Sequence, residues 1–117
     1  MEKELDILIQ KISAKQKSQI SKTDKNIIGH HLIHRGNELF RWDLDNIMFI
    51  TVQEHTNIHS IPNYEIQHLT EKQKEFKELN RNKSLKDYLL KHGLIKKEFM
   101  QERKEYLTNK LNELSYN

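Results

Sequence analysis

The chain has 117 residues, 35% hydrophobic and 32% charged, which suits one compact domain with a modest core and large helical surfaces. It contains no cysteine, and that excludes disulfide frameworks, zinc ribbons, thiol catalysis and thiolate-ligated metals. No apolar run approaches the ~18 residues of a membrane span, and the charged start Met1-Glu2-Lys3-Glu4 does not read as a signal peptide, so the expectation is a soluble cytoplasmic protein.

Residues 3–19 place Leu5, Leu8, Ile9 and Ile12 at helical spacing, and Ile20 continues the stripe; this predicts an amphipathic helix. Residues 21–26 form a polar connector. Apolar and small residues surround the histidine pair from Ile27 to Ile33, which suggests a short strand, and Arg35-Gly36-Asn37 makes a loop. The apolar run Ile47-Met48-Phe49-Ile50 is long enough for a buried strand. Thr51-Val52-Gln53-Glu54 follows directly as a capping-box pattern, and the helix it starts must stop near Pro62.

Further on, Thr70 and Gln73 predict a capped helix ending near Asn80, and Ser84 with Asp87 caps Leu85–His92, which Gly93 terminates. Lys96 to Leu114 reads as a last, highly charged helix with Phe99, Leu107, Leu111 and Leu114 on its apolar side. The fold class expected is α+β, mostly helical, in one domain. Residues 1–26 supply a helix and connector, 27–61 a strand, loop, strand and helix, and 62–117 a helical extension.

The net charge of +3 is unevenly spread. Residues 1–27 carry +2 and 61–117 carry +3, whereas 28–60 carry −2. The middle segment, flanked by basic arms, holds five of the seven histidines: His30, His31, His34, His55 and His59. Histidine is the commonest metal ligand and the side chain best suited to proton transfer near neutral pH. A helix from Thr51 puts His55 and His59 one turn apart on one face. A hairpin brings the first strand to that face, so one of His30 and His31 can join them on a cation while the other acts on a substrate beside it. Three imidazoles with positions left open form a catalytic rather than a closed structural arrangement. One divalent ion is implied. All-nitrogen ligation favours zinc, nickel, cobalt or manganese, with magnesium the weaker fit because it prefers oxygen donors.

The run Gly29-His30-His31-Leu32-Ile33-His34-Arg35, then Trp42-Asp43-Leu44-Asp45-Asn46-Ile47, then His55-Thr56-Asn57-Ile58-His59 resembles the HNH endonuclease motif, the ββα-metal (His-Me) finger. The spacing is similar to that of colicin-type DNases, and the loop resembles phage-encoded HNH nucleases more closely. The resemblance covers about residues 27–60. It implies that His31 is the general base that activates water, that His30, His55 and His59 are the metal ligands, and that Asn46 holds the loop and helps orient His31. It further implies DNA as substrate, with 5′-phosphate and 3′-hydroxyl products, and a bacterial or phage-encoded setting with no membrane role. Arg35 is the candidate clamp for the scissile phosphate, since its fork matches phosphate geometry, and Arg41 is the weaker second.

His34 matches no required position and reads as a loop residue. The paired CxxC motifs of many relatives are missing, so Phe40, Trp42, Leu44, Met48, Phe49 and the flanking helices must hold the finger instead. Two other readings stand beside the nuclease: a metal-stabilised module that binds nucleic acid or protein, and a nuclease subunit of a recombination or packaging complex.

Overall fold

The computed structural model describes residues 1–115; Tyr116 and Asn117, the end of the expected helical extension, lie outside them. Helix α1 (Glu2–Ser13) buries Leu5, Ile9 and Ile12 on one face, the stripe that its spacing predicts. It ends six residues before the expected limit. Lys15 and Gln16 donate to the carbonyls of Ile12 and Ser13, tightening the last turn, after which the chain leaves the helix axis. Ile20 therefore does not extend the α1 stripe. It packs instead with Leu32, Met48 and Ile50 in a second, smaller core.

The segment between α1 and the first strand is tied down at Ser18 and Gln19, just before the polar connector. Ser18 donates to the buried carboxylate of Glu54 at 2.6 Å and accepts from the amides of Ile20 and Ser21. The Gln19 amide N–H donates to the carbonyl of Phe49, and its side chain pairs reciprocally with Gln73 at 2.7 Å. These bonds dock the segment on the second strand, at Phe49, and tie it to Glu54 and Gln73.

Strands β1 (Ile27–His31) and β2 (Ile47–Thr51) form one antiparallel pair, with His30 opposite Met48 and His31 opposite Ile47. β1 is two residues shorter than expected. Between the strands lie a single helical turn, α2 (Glu38–Arg41), and a 3-10 turn at Leu44–Asn46. The cap residues Asn37 and Asp43 start them by accepting from the amides of Leu39 and Asp45. Helix α3 (Val52–Ser60) follows β2 with no intervening loop. Then come α4 (Tyr64–His68), α5 (Glu71–Asn80), α6 (Leu85–His92) and α7 (Lys96–Ser115). The caps at Thr70 and Ser84 and the left-handed Gly93 lie where the sequence places them. The sequence did not foresee α4, nor the two short turns between the strands, α2 and Leu44–Asn46.

The larger core joins Leu5, Ile9 and Ile12 of α1 to Leu39, Phe40 and Trp42 of the loop and to Phe99, Met100 and Leu107 of α7. Trp42, Leu5 and Leu107 are fully buried. Each such side chain contributes on the order of 1.5–3 kcal/mol through removal of its surface from water, and the loop between the strands is anchored by that burial. The overall class is α+β and mostly helical. Among the described residues no helix is long and apolar enough to cross a membrane.

Candidate metal centre

The two ends of the 27–61 segment meet because α3 starts in a fixed register. Thr51 accepts from the Glu54 amide at 3.0 Å, and the Glu54 carboxylate accepts from the Thr51 amide at 2.8 Å. Glu54 is buried, and the same oxygen takes the Ser18 hydroxyl. Burial opposes its ionisation, but the hydrogen bonds from Ser18 and Thr51 outweigh that and hold its pKa below the usual carboxylate value.

From this start, His55 and His59 fall on one side of α3, with ring centres 4.7 Å apart and Nε2 atoms separated by 3.4 Å. The His30 ring, arriving from β1, stands 5.4 Å from that of His55. Burial, followed by the proximity of His30 and His59, lowers the His55 pKa and favours its neutral form, the form that ligates metals.

His30 itself is only 11% exposed, and its Nε2 lies 2.6 Å from Oε2 of Glu65 on α4. The other Glu65 oxygen takes the Lys77 ammonium of α5 at 2.7 Å. The His30 hydrogen bond, resisted by burial and assisted by Lys77, lowers the Glu65 pKa to about 2. Sequence reasoning missed Glu65 because no spacing rule links it to the pair. It reaches His30 through the turn at Pro62-Asn63, where Asn63 takes a left-handed φ of 64°.

His31 has a different environment. Its Nε2 lies 2.9 Å from the carbonyl oxygen of Arg41. A carbonyl can only accept, so Nε2 carries the proton and Nδ1 keeps its lone pair. Burial is the largest influence and lowers the His31 pKa; the hydrogen bond to the Arg41 carbonyl opposes it, and the charges of Arg35, His30 and Arg41 act with burial. The neutral form is thereby favoured, and the carbonyl fixes its tautomer.

Asn46 is fully buried and stitches the loop that presents the Arg41 carbonyl. Its side-chain oxygen accepts from the Ile33 amide at 2.7 Å, and its nitrogen donates to the carbonyls of Ile33 and Phe40 at 3.0 and 3.1 Å. Its side-chain hydrogen bonds go to Ile33 and to Phe40, the neighbour of Arg41, and none to His31.

A cleft of about 500 Å³ opens between α1 and the sheet, bordered by Asp6, Gln10 and Ser13 on one side and by His30, His31, His34, Arg35, His55 and His59 on the other. The two candidate arginines differ in how they are used. The Arg41 side chain is 16% exposed and spends its guanidinium on Asp6, at 2.7 and 3.3 Å, with Trp42 Nε1 donating to the same carboxylate at 2.9 Å. Arg35 is 58% exposed, borders the cleft and reaches Asp6 only at 3.4 Å. Arg35 therefore has donors available to an anion in the cleft, whereas Arg41 braces the loop against α1. His34 accepts from the Gly36 amide through Nδ1 and closes the loop turn.

Comparison with protein-family models, with curated proteins and with solved structures gives no match to this chain. The chemistry of the site must be judged from its own donors. A tetrahedral ion with metal–nitrogen bonds of about 2.0–2.1 Å spaces two ligand nitrogens about 3.3 Å apart, and His55 and His59 stand at 3.4 Å. His30 supplies a third imidazole to the same side. Among the described residues no group of three or more His, Asp or Glu side chains is arranged so that it could hold a metal ion, and His30 Nε2 is turned to Glu65. His55 and His59 stand at ligand spacing as they are, and their imidazole nitrogens are donors of the type that suits a borderline divalent ion.

Proposed function

We propose that the chain is a metal-dependent HNH endonuclease that hydrolyses DNA phosphodiester bonds, with β1, β2 and α3 as its ββα-metal finger. The observation that carries this reading is the convergence of His30, His55 and His59 beside a fourth histidine, His31, whose fixed tautomer leaves one basic nitrogen at the same cleft.

In this mechanism His31 Nδ1 removes a proton from a water molecule as its oxygen bonds to phosphorus. The bond from phosphorus to the 3′ oxygen breaks, giving 5′-phosphate and 3′-hydroxyl ends, and solvent returns a proton to the leaving oxygen. The Arg41 carbonyl keeps the imidazole oriented and stabilises the imidazolium as it forms. Arg35 holds a non-bridging phosphate oxygen through its guanidinium fork. His30, His55 and His59 would hold a divalent ion, which when bound would supply Lewis-acid stabilisation of the negative charge that develops in the reaction. Lysines of the flanking arms contribute sequence-independent contacts to the backbone.

The test is chelator-stripped protein, reloaded in turn with Zn²⁺, Ni²⁺, Mn²⁺, Co²⁺ or Mg²⁺ and incubated with supercoiled plasmid. Relaxed or linear product with at least one ion is expected. A folded, metal-loaded protein that leaves the plasmid intact with all five ions overturns the reading.

A further inference from the structure

We infer that Glu65 is a positioning residue for the metal centre: it holds His30 by Nε2, so that the ring offers Nδ1 to the cation. This rests on the reading of His30, His55 and His59 as ligands. The contact is short, 2.6 Å, and shielded, with 11% of the His30 side chain and 20% of the Glu65 side chain exposed. A carboxylate oxygen accepts, so the hydrogen sits on His30 Nε2 and the lone pair left for a metal is on Nδ1.

Glu65 is itself fixed. Its second oxygen is held by Lys77 at 2.7 Å from a different helix, so each oxygen already serves a donor on a separate element. The order Lys77, Glu65, His30 runs from α5 through α4 to β1, and it makes the segment after Pro62 part of the centre rather than an appendage to it. An outer carboxylate on a ligating imidazole fixes its tautomer and raises its basicity, and loss of such a partner typically costs 10–100-fold in metal affinity.

The experiment uses the full chain with zinc or cobalt alone. Calorimetric titration of Glu65→Ala with Zn²⁺ should show affinity reduced about 10–100-fold. Glu65→Gln, whose amide oxygen can still accept from His30, should bind close to wild type, and its Co²⁺ complex should keep the wild-type visible spectrum. Nitrogen-15 NMR of zinc-loaded wild-type protein should place the metal on His30 Nδ1 and the proton on Nε2.

Wild-type affinity in Glu65→Ala, with or without a lower melting temperature, overturns the inference. So does an altered Co²⁺ spectrum in Glu65→Gln, which would make Glu65 a ligand, or metal on His30 Nε2. His55→Ala separates this failure from the broader one. If it leaves zinc binding intact, the ligand assignment itself falls; if it abolishes binding while Glu65→Ala does not weaken it, only the role of Glu65 is lost.

Discussion

At the scale of single residues, the two adjacent histidines are distinguished by what accepts from them. His30 meets a carboxylate and His31 a backbone carbonyl, and only His31 has a partner that the inter-strand loop itself provides. Replacing His31 by Ala is expected to lower plasmid cleavage by about 10²–10⁴-fold, the usual worth of a general base, while zinc affinity stays at the wild-type level. Parallel cleavage and calorimetric assays check this, and loss of both functions together would mean that His31 is a ligand. The arginines separate in the same way. A charged fork that already grips a carboxylate and lies under an indole, as Arg41 does at 5.2 Å from the Trp42 ring, is a brace. In the proposed mechanism the exposed Arg35 is the one left to meet phosphate.

At the scale of elements, the register of α3 depends on a few hydrogen bonds at its first turn. Thr51→Ala removes the acceptor for the Glu54 amide and should cost about 1 kcal/mol, read as a lower midpoint in urea. The same variant should bind zinc more weakly, because His55 lies just beyond the loosened turn. Gly29 controls a second junction, where α1 crosses β1. A Cβ there would stand 2.7 Å from Ile47 Cγ2 and 3.1 Å from Ser13 Oγ, both in packed surroundings. Gly29→Ala is therefore expected to destabilise the fold by about 1–3 kcal/mol through overpacking, again measured in urea. The absence of side-chain bulk just before the histidine pair thus has a structural cause: the wall of the cleft is α1 seated directly on the strand.

At the scale of the whole molecule, Asp6 links the N-terminal helix to the loop that carries the site. Burial opposes its ionisation, but the hydrogen bonds from Arg41 and Trp42 prevail and depress its pKa below 3.8. For a carboxylate with a depressed folded-state pKa, the stabilisation is complete above the unfolded value and is lost as pH falls through the folded one. Asp6→Asn should accordingly cost about 1–3 kcal/mol at pH 7, and the gap from wild type should narrow once pH drops below about 4. Urea unfolding at pH 7, 5 and 3 measures it, and a gap that stays constant would show that the charge of Asp6 is not what matters.

Local chemistry made much of this protein legible in its sequence. The caps at Thr51, Thr70 and Ser84, the stop at Gly93 and the apolar faces of α1 and α7 are set by neighbours within a few residues, and such rules can be read from spacing. That one of His30 and His31 meets His55 and His59 was legible too, because a hairpin followed directly by a helix brings the first strand to that helix; spacing left open which one, and the structure puts the His30 ring 5.4 Å from that of His55. The early end of α1, the path of Ile20 into the second core and the short α4 were not, since each is decided by what the chain docks against after it leaves the local turn. Only the tertiary structure brought Glu65 to His30, set the Arg41 carbonyl on His31 and committed Arg41 to Asp6. Those contacts span 35, 10 and 35 residues, and no periodicity encodes a partner chosen by packing at that distance.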